Sequence, residues 1–504
     1  MNLRRLLKRD SQRQLHLVET LYYSQYPRSS EELSAITKCT TPAFLSDITT
    51  INNQSDYYKI VRENSLYQLE LKDNATIDVL YSTLITNSLA FRLLEVILFE
   101  ECLTLVELSK RLFCSLTAVQ AAMTKLQKTL GRWKMSIQRR PFRLTGDEVA
   151  IRHLLFLYYT EKKLARENTR FSLEFFHFGD EIVRSMIEEN ELSVSLAQYN
   201  RLSLTFFISL VRVSRGHYIA SRKLRSTAIK PPKQEAINNF APYLQEELEI
   251  LYSVDVMKDS FWLLYSDLFL LGSKQKKKAL KSNFSLAYHY ETHYELAGKL
   301  SQMLTEPLTE QQKDQLATIL INQHLFHAET KELISVLQDR KKDCLRLLET
   351  FHAHCVYQLR KLVIEFTDNY HLFKSSEFID NYIYQIVATI PSCLNGMKQS
   401  DQPVNLLVVS TDSVMQESLL TELLRFSLRG NYTIHQINVT KLHNKSYLEV
   451  FEEHDIVIST STFDVPDCQT PIIAVELCPS LHSLNKIQTL VDQISEKNSQ
   501  LALS

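Results

Sequence analysis

Glycine is scarce here, with 8 in 504 residues against about 7% in average usage. Phosphate-cradling loops, nucleophile elbows and dinucleotide turns need glycine, because a Cβ blocks the tight backbone they require. No GxGxxG, GxxxxGK[ST] or GxSxG occurs. No Ser/His/Asp or paired-carboxylate constellation stands out by spacing either. No enzymatic activity and no cofactor are therefore expected. The 8 cysteines include no CxxC pair and no framework spacing, so they are expected to be reduced thiols and no metal site is expected. Long apolar runs are also missing: none approaches the roughly 18 residues of a membrane span. The opening MNLRRLLKRD is charged and lacks the apolar core of a signal peptide. A cytoplasmic location with no membrane partner is the expectation.

What is present is a helix-forming composition with 44% hydrophobic and 10% aromatic residues, enough for real cores. Charge balances to −1 overall but is unevenly placed. Residues 1–152 hold 21 Lys/Arg and 16 Asp/Glu, a local excess of cations. Between Lys125 and Arg143 stand Lys125, Lys128, Arg132, Lys134, Arg139, Arg140 and Arg143 with no acid among them. A block of this kind is an electrostatic footprint for phosphate.

The same stretch of chain carries a repeat. Glu32-Leu33-Ser34 precedes CTTPAFLSDITTI (39–51), and Glu107-Leu108-Ser109 precedes CSLTAVQAAMTKL (114–126) at the same distance. Each copy reads as a helix, a short helix, a turn, a third helix and a hairpin. In the first, Ser29-Ser30-Glu31-Glu32 opens the short helix, and Pro42 stands where the third begins. Tyr57–Leu71 alternates like a hairpin around Glu63-Asn64-Ser65. In the second, Ser88–Glu100, Leu105–Leu112 and Ser115–Leu130 are the helices, and Trp133–Leu144 is the hairpin. That order is a winged helix-turn-helix, whose third helix fits the major groove. The outward polar residues expected to meet base edges are Thr41, Ser46, Asp47, Thr50 and Asn52 in the first copy. In the second they are Thr117, Gln120, Thr124, Lys125 and Lys128. Arg139, Arg140 and Arg143 on the second wing are expected to hold phosphates, as are Arg4, Arg5, Lys8, Arg9 and Arg13 near the start.

From about residue 149 to 389 the pattern is almost wholly helical, in two segments near the size of helical bundles. Lys274–Lys278 reads as an exposed, mobile connector between them. His217 follows an apolar helix within VRVSRGHYIA, and His324 shares a helical face with His327. A histidine beside arginine is a candidate phosphoryl acceptor, since neutral imidazole is a nucleophile. The last hundred residues alternate strands and helices: Pro403–Val409, Tyr432–Val439, Asp455–Thr460 and Pro471–Val475 are the strands of a small parallel α/β sheet. The expected fold class is mainly α, with tandem winged helix-turn-helix modules, two all-helical bundles and a C-terminal small α/β domain. The expected boundaries are 1–72, 73–150, 151–280, 281–398 and 399–504.

This order resembles the Mga/AtxA group of Gram-positive virulence regulators, and most nearly the RofA-like (RALP) branch of streptococci. The residues carrying the resemblance are FRLTGDEVAIR at Phe142–Arg152 and RGHYI around His217. The resemblance implies that 151–280 and 281–398 are PRDs, domains phosphorylated on histidine by phosphocarrier proteins of the sugar phosphotransferase system (PTS). His217 matches the first PRD's histidine, and His324 is the counterpart in the second. It implies too that 399–504 is EIIB-like and aids homodimerisation. EIIB enzymes carry a cysteine after their first strand. Ser410–Ser413 has none, so this domain is expected to be catalytically inactive. The implied function is a DNA-binding transcriptional regulator acting on double-stranded promoter DNA. Three alternatives stay open: a phosphotransferase component passing phosphate through His217, a helical scaffold that binds no DNA, and a PRD-containing RNA antiterminator without DNA binding.

Overall fold

The computed structural model describes residues 3–24, 26–163, 169–192, 194–220, 224, 229–266, 270, 273–327, 334–370, 375–397, 403–410, 414–437, 446–462, 465 and 467–501. It is mostly helical with small sheets. The chain divides into two compact units: residues 1–293 with 318–340, and residues 294–317 with 341–504.

The first unit begins with the repeat. Helices α1 (Arg9–Tyr22), α2 (Ser30–Thr37) and α3 (Thr41–Asn52) lead into a three-stranded antiparallel sheet. Its strands are β1 (Arg28–Ser29), β2 (Tyr58–Glu63) and β3 (Leu66–Leu71), in the order β1-β3-β2. Asn64 and Ser65 both adopt positive φ (48° and 68°), the two-residue turn that matches strand twist. The second copy is α5 (Leu89–Leu98), α6 (Leu105–Leu112), α7 (Leu116–Leu130) and the hairpin β4 (Ser136–Gln138) with β5 (Arg143–Thr145). An extra helix, α4 (Asp78–Asn87), precedes it.

The local chemistry of the two copies coincides. Ser29 caps α2 and Glu32 reaches back to it; Thr104 caps α6 while Glu107 accepts from the Leu103 amide. Each short helix ends in one left-handed residue, Lys38 (φ 53°) or Phe113 (φ 51°). The next amide then closes on the carbonyl five residues back: Cys39 to Ser34 and Cys114 to Ser109, both at 3.1 Å. Inside, Leu33, Phe44 and Ile51 are buried in the first copy, and Leu108, Val119, Met123 and Leu126 in the second. Burying each such side chain contributes roughly 1.5–3 kcal/mol.

Helices α8 (Glu148–Lys162), α9 (Leu173–Glu189), α10 (Leu196–Ser214), α11 (Gln234–Leu248) and α12 (Val254–Ser260) follow. Their core is aromatic, with Phe175, Phe206, Phe240 and Phe261 nearly inaccessible. Gly179 allows α9 and α10 to close, since a Cβ there would meet the Phe207 ring at 2.5 Å. The Lys274–Lys278 run, expected to be a mobile connector, instead lies in helix α13 (Ser273–Ser282). There Lys276 donates to Thr318 and sits over the Tyr290 ring. Lysines are good helix formers, so a basic run need not be a loop.

The second unit ends in a parallel sheet: β6 (Val404–Val409), β7 (Tyr432–Gln436), β8 (Ile456–Ser459) and β9 (Ile472–Ala474), in the order β7-β6-β8-β9. The continuous apolar strands β6 and β8 are central and covered on both faces, as a parallel sheet demands. Among the described residues no helix is long and apolar enough to cross a membrane.

Candidate nucleic-acid interface

Helix α7 presents two faces. Val119, Met123, Leu126 and Leu130 point into the core. On the opposite side Thr117, Gln120, Ala121, Thr124, Lys125 and Lys128 line one open hollow of about 460 Å³. The structure thus brings together all five side chains the sequence places on this helix. Ser115 caps the helix by accepting from the Ala118 amide. Lys125 is braced: its Nζ donates to the Leu7 carbonyl at 2.9 Å, and partial burial lowers its pKa. Lys128 is exposed. Arg139 and Arg140 stand exposed on the connection between β4 and β5. Arg143 is half-buried, with Nε on Gln138 Oε1 at 3.0 Å.

The first copy differs in its chemistry. Thr41, Ser46 and Thr50 are exposed on α3 as expected. Asp47 is not outward: it is 3% exposed, paired with Arg13 through both oxygens and accepting from Gln14 Nε2 at 3.1 Å. A carboxylate on the buried face must be paired, because an unpaired buried charge is prohibitively costly. The pair takes Arg13 out of the set of free phosphate ligands and raises its pKa. Arg4 is likewise engaged, with Glu19 at 2.7 and 2.5 Å and the Leu337 carbonyl at 2.6 Å. Arg5, Lys8 and Arg9 stay exposed. Asn52 also departs from expectation. Its amide clasps Ile60, donating to the carbonyl at 3.0 Å and accepting from the N–H at 2.7 Å. It ties α3 to β2 rather than facing outward.

The two stretches flanking the modules, FRLTGDEVAIR and RGHYI, meet in one buried charge cluster. Arg212 on α10 grips Glu148 on α8 at 2.9 and 2.8 Å, reaches Glu100 after α5 at 3.4 Å, and donates to the Leu144 carbonyl on β5 at 3.1 Å. Arg152 joins Glu148 at 3.0 Å, Asp259 on α12 at 2.5 Å, and the His217 carbonyl at 3.0 Å. Both guanidinium groups are wholly inaccessible. Burial pushes the Asp259 carboxyl above the usual carboxylate range, with Arg152 opposing that shift. His217 Nε2 lies directly on Glu100. Gly216 makes this possible: at φ 79° it closes α10 with the His217 amide on the Arg212 carbonyl at 3.0 Å. The cluster joins two points of the second module, Glu100 after its first helix and Leu144 on its hairpin, to the helices that follow.

Sequence reading missed Glu100, Glu148, Arg152, Arg212 and Asp259. Arg152 and Arg212 carried a readable signal, since each interrupts an apolar run (VAIRHLLFL and SLVRVS). His324 lies in helix α15 of the described backbone (Glu310–His327, preceded by α14, Phe284–Met303), and its side chain lies outside the described residues. So do Thr411, Asp412 and Ser413 of the first turn of the α/β sheet.

Comparison with known proteins agrees with this geometry. Residues 73–159 match the Mga helix-turn-helix domain. A Streptococcus pneumoniae protein named for trans-acting regulation is 21% identical over 469 residues, covering 91% of this chain and 92% of its own. The capsule synthesis positive regulator AcpB of Bacillus anthracis is 21% identical over 511 residues, covering 96% and 99%. The regulator AcpA of the same organism is 21% identical over 220 residues, covering 42% and 44%.

Proposed function

From the premise that residues 73–159 are an Mga helix-turn-helix domain, we propose that this chain is a DNA-binding transcriptional regulator acting on double-stranded promoter DNA. The observation carrying this reading is the outward face of α7. Two lysines and three hydrogen-bonding side chains share one hollow there, and exposed arginines stand on the wing. Polar edges supply base readout and cations supply phosphate neutralisation. Residues 1–72, with Thr41, Ser46 and Thr50 outward, add a second, less charged contact.

Affinity for random duplex DNA measured across a salt series tests this. Phosphate binding gives a steep linear fall of log K with log salt, about 0.9 per neutralised phosphate. A flat response defeats it.

The regulatory reading is that residues 151–280 and 281–398 act as PRDs, that His217 and His324 are phosphoryl acceptors from PTS phosphocarriers, and that 399–504 is an EIIB-like domain aiding homodimerisation. The position of His217 supports the first half. A phosphoryl group, about −1.5 to −2 in charge, cannot share Nε2 with the Glu100 carboxylate. Modification there would part the second module from α10. Incubation of the chain with phosphocarrier proteins, followed by mapping of acid-labile phosphate, tests it.

A further inference from the structure

Phe113 is the most exposed aromatic of the DNA-facing module, at 92%, and it sits in left-handed backbone at φ 51°. Neither feature helps folding. An aromatic ring gains nothing from water, and left-handed backbone is strained for any residue with a Cβ. The turn itself explains the conformation but not the residue. Its hydrogen bonds, Phe113 to Lys110 and Cys114 to Ser109, repeat at Lys38 and Cys39 in the first copy. The fold therefore demands this φ at both turns, and glycine would serve best. Instead the first copy has a cation and the second an aromatic ring. Phe113 stands just ahead of Ser115, the cap of α7, and three residues before Leu116, itself 43% exposed. Leu116 lies one helical turn before Gln120 on α7, and this apolar pair precedes Thr117 in the chain. It stands at the N-terminal end of the reading helix, the end that meets base edges.

We propose that Phe113 is a specificity-determining residue that packs on the C5-methyl of thymine in the major groove. Lys38, at the same turn of the first copy, offers a cation suited to phosphate. The assignment rests on the DNA-binding reading and names one base that the reading must include. Among base edges in the major groove, only thymine offers an apolar group.

The test uses the full chain and duplexes enriched by it from a random 30-base-pair pool, each made with thymine or with deoxyuridine, which lacks the methyl. The wild-type chain is expected to prefer the thymine form by about fourfold for a contacted methyl. Phe113→Gly and Phe113→Asn, both suited to left-handed backbone, are expected to bind the two forms equally and more weakly. Their salt dependence should be unchanged and their melting temperature higher than wild type. Lower binding with a lower melting temperature would show a folding role and overturn the assignment. An unchanged thymine preference in both variants overturns it as well, while leaving DNA binding intact. A wild-type chain that enriches no duplex and binds without salt dependence overturns the DNA reading and this assignment together.

Discussion

Arg152 and Arg212 close on the single carboxylate of Glu148, at 3.0 Å from the first and at 2.9 and 2.8 Å from the second. Two inaccessible cations thus share one acid, each with one further carboxylate, Asp259 for Arg152 and Glu100 for Arg212. Buried ion pairs are weak net stabilisers, but removing one partner strands the others without solvent. Glu148→Ala is expected to destabilise the chain by about 3–5 kcal/mol, read as a lower urea midpoint. Asp10→Ala, which removes a 73% exposed side chain paired with Arg13, should change stability by under about 1 kcal/mol.

The pH dependence contributed by Asp259 runs opposite to that of an ordinary paired carboxylate. Burial raises the Asp259 pKa in the fold above its unfolded value of about 3.9. Its contribution to stability is therefore fully present below that unfolded pKa and lost as pH rises through the folded one. Urea melts of wild type and Asp259→Asn from about pH 4 toward neutrality should show the difference shifting steadily against the wild type. A constant difference would refute it.

The pairing of His217 with Glu100 gives a kinetic expectation. Glu100 occupies Nε2, so a phosphoryl donor must displace it. Glu100→Ala should be labelled faster by phosphocarriers than wild type, and Glu100→Ala with His217→Ala should lose that label.

Arg13 and Lys128 separate a structural cation from one that the proposed function sets against DNA. Arg13 is spoken for by Asp47, whereas Lys128 lies open in the α7 hollow. Lys128→Ala should reduce the salt slope of DNA binding by about 1. Arg13→Ala should leave the slope unchanged while lowering stability by about 2–3 kcal/mol, less than a fully buried pair because its side chain is 24% exposed.

The contrast between these residues shows what sequence can carry. The repeat, its caps and its hairpins were legible because they depend on residues three to five apart. Asp47 sits three residues after Phe44 and four before Ile51, both buried, so helical spacing alone placed it inward. Its charge argued the other way, and its partner Arg13 is too far along the chain to be paired by pattern. Ala122 takes the same place in the second copy, where no ion pair is needed. The cluster around Glu148 joins residues of five separate segments. Only the two arginines within apolar runs hinted at it, and nothing near Asp259 did. The α/β strands were readable because a buried parallel strand is a continuous apolar run.

Gly216 gives the last expectation. No atom lies within 4 Å of where its Cβ would sit, so space does not exclude a side chain. The backbone does, because φ is 79°. Gly216→Ala should therefore cost about 1–2 kcal/mol through conformational strain alone. Gly216→Asn should cost less, because asparagine visits this region more readily. Both effects are measurable as melting-temperature shifts. If alanine relieves its strain by unwinding the end of α10, the His217 amide leaves the Arg212 carbonyl and the imidazole leaves Glu100. The same variant should then be labelled by phosphocarriers at a rate approaching that of Glu100→Ala. Equal losses for alanine and asparagine, with labelling at the wild-type rate, would mean that this glycine does not hold the histidine in place.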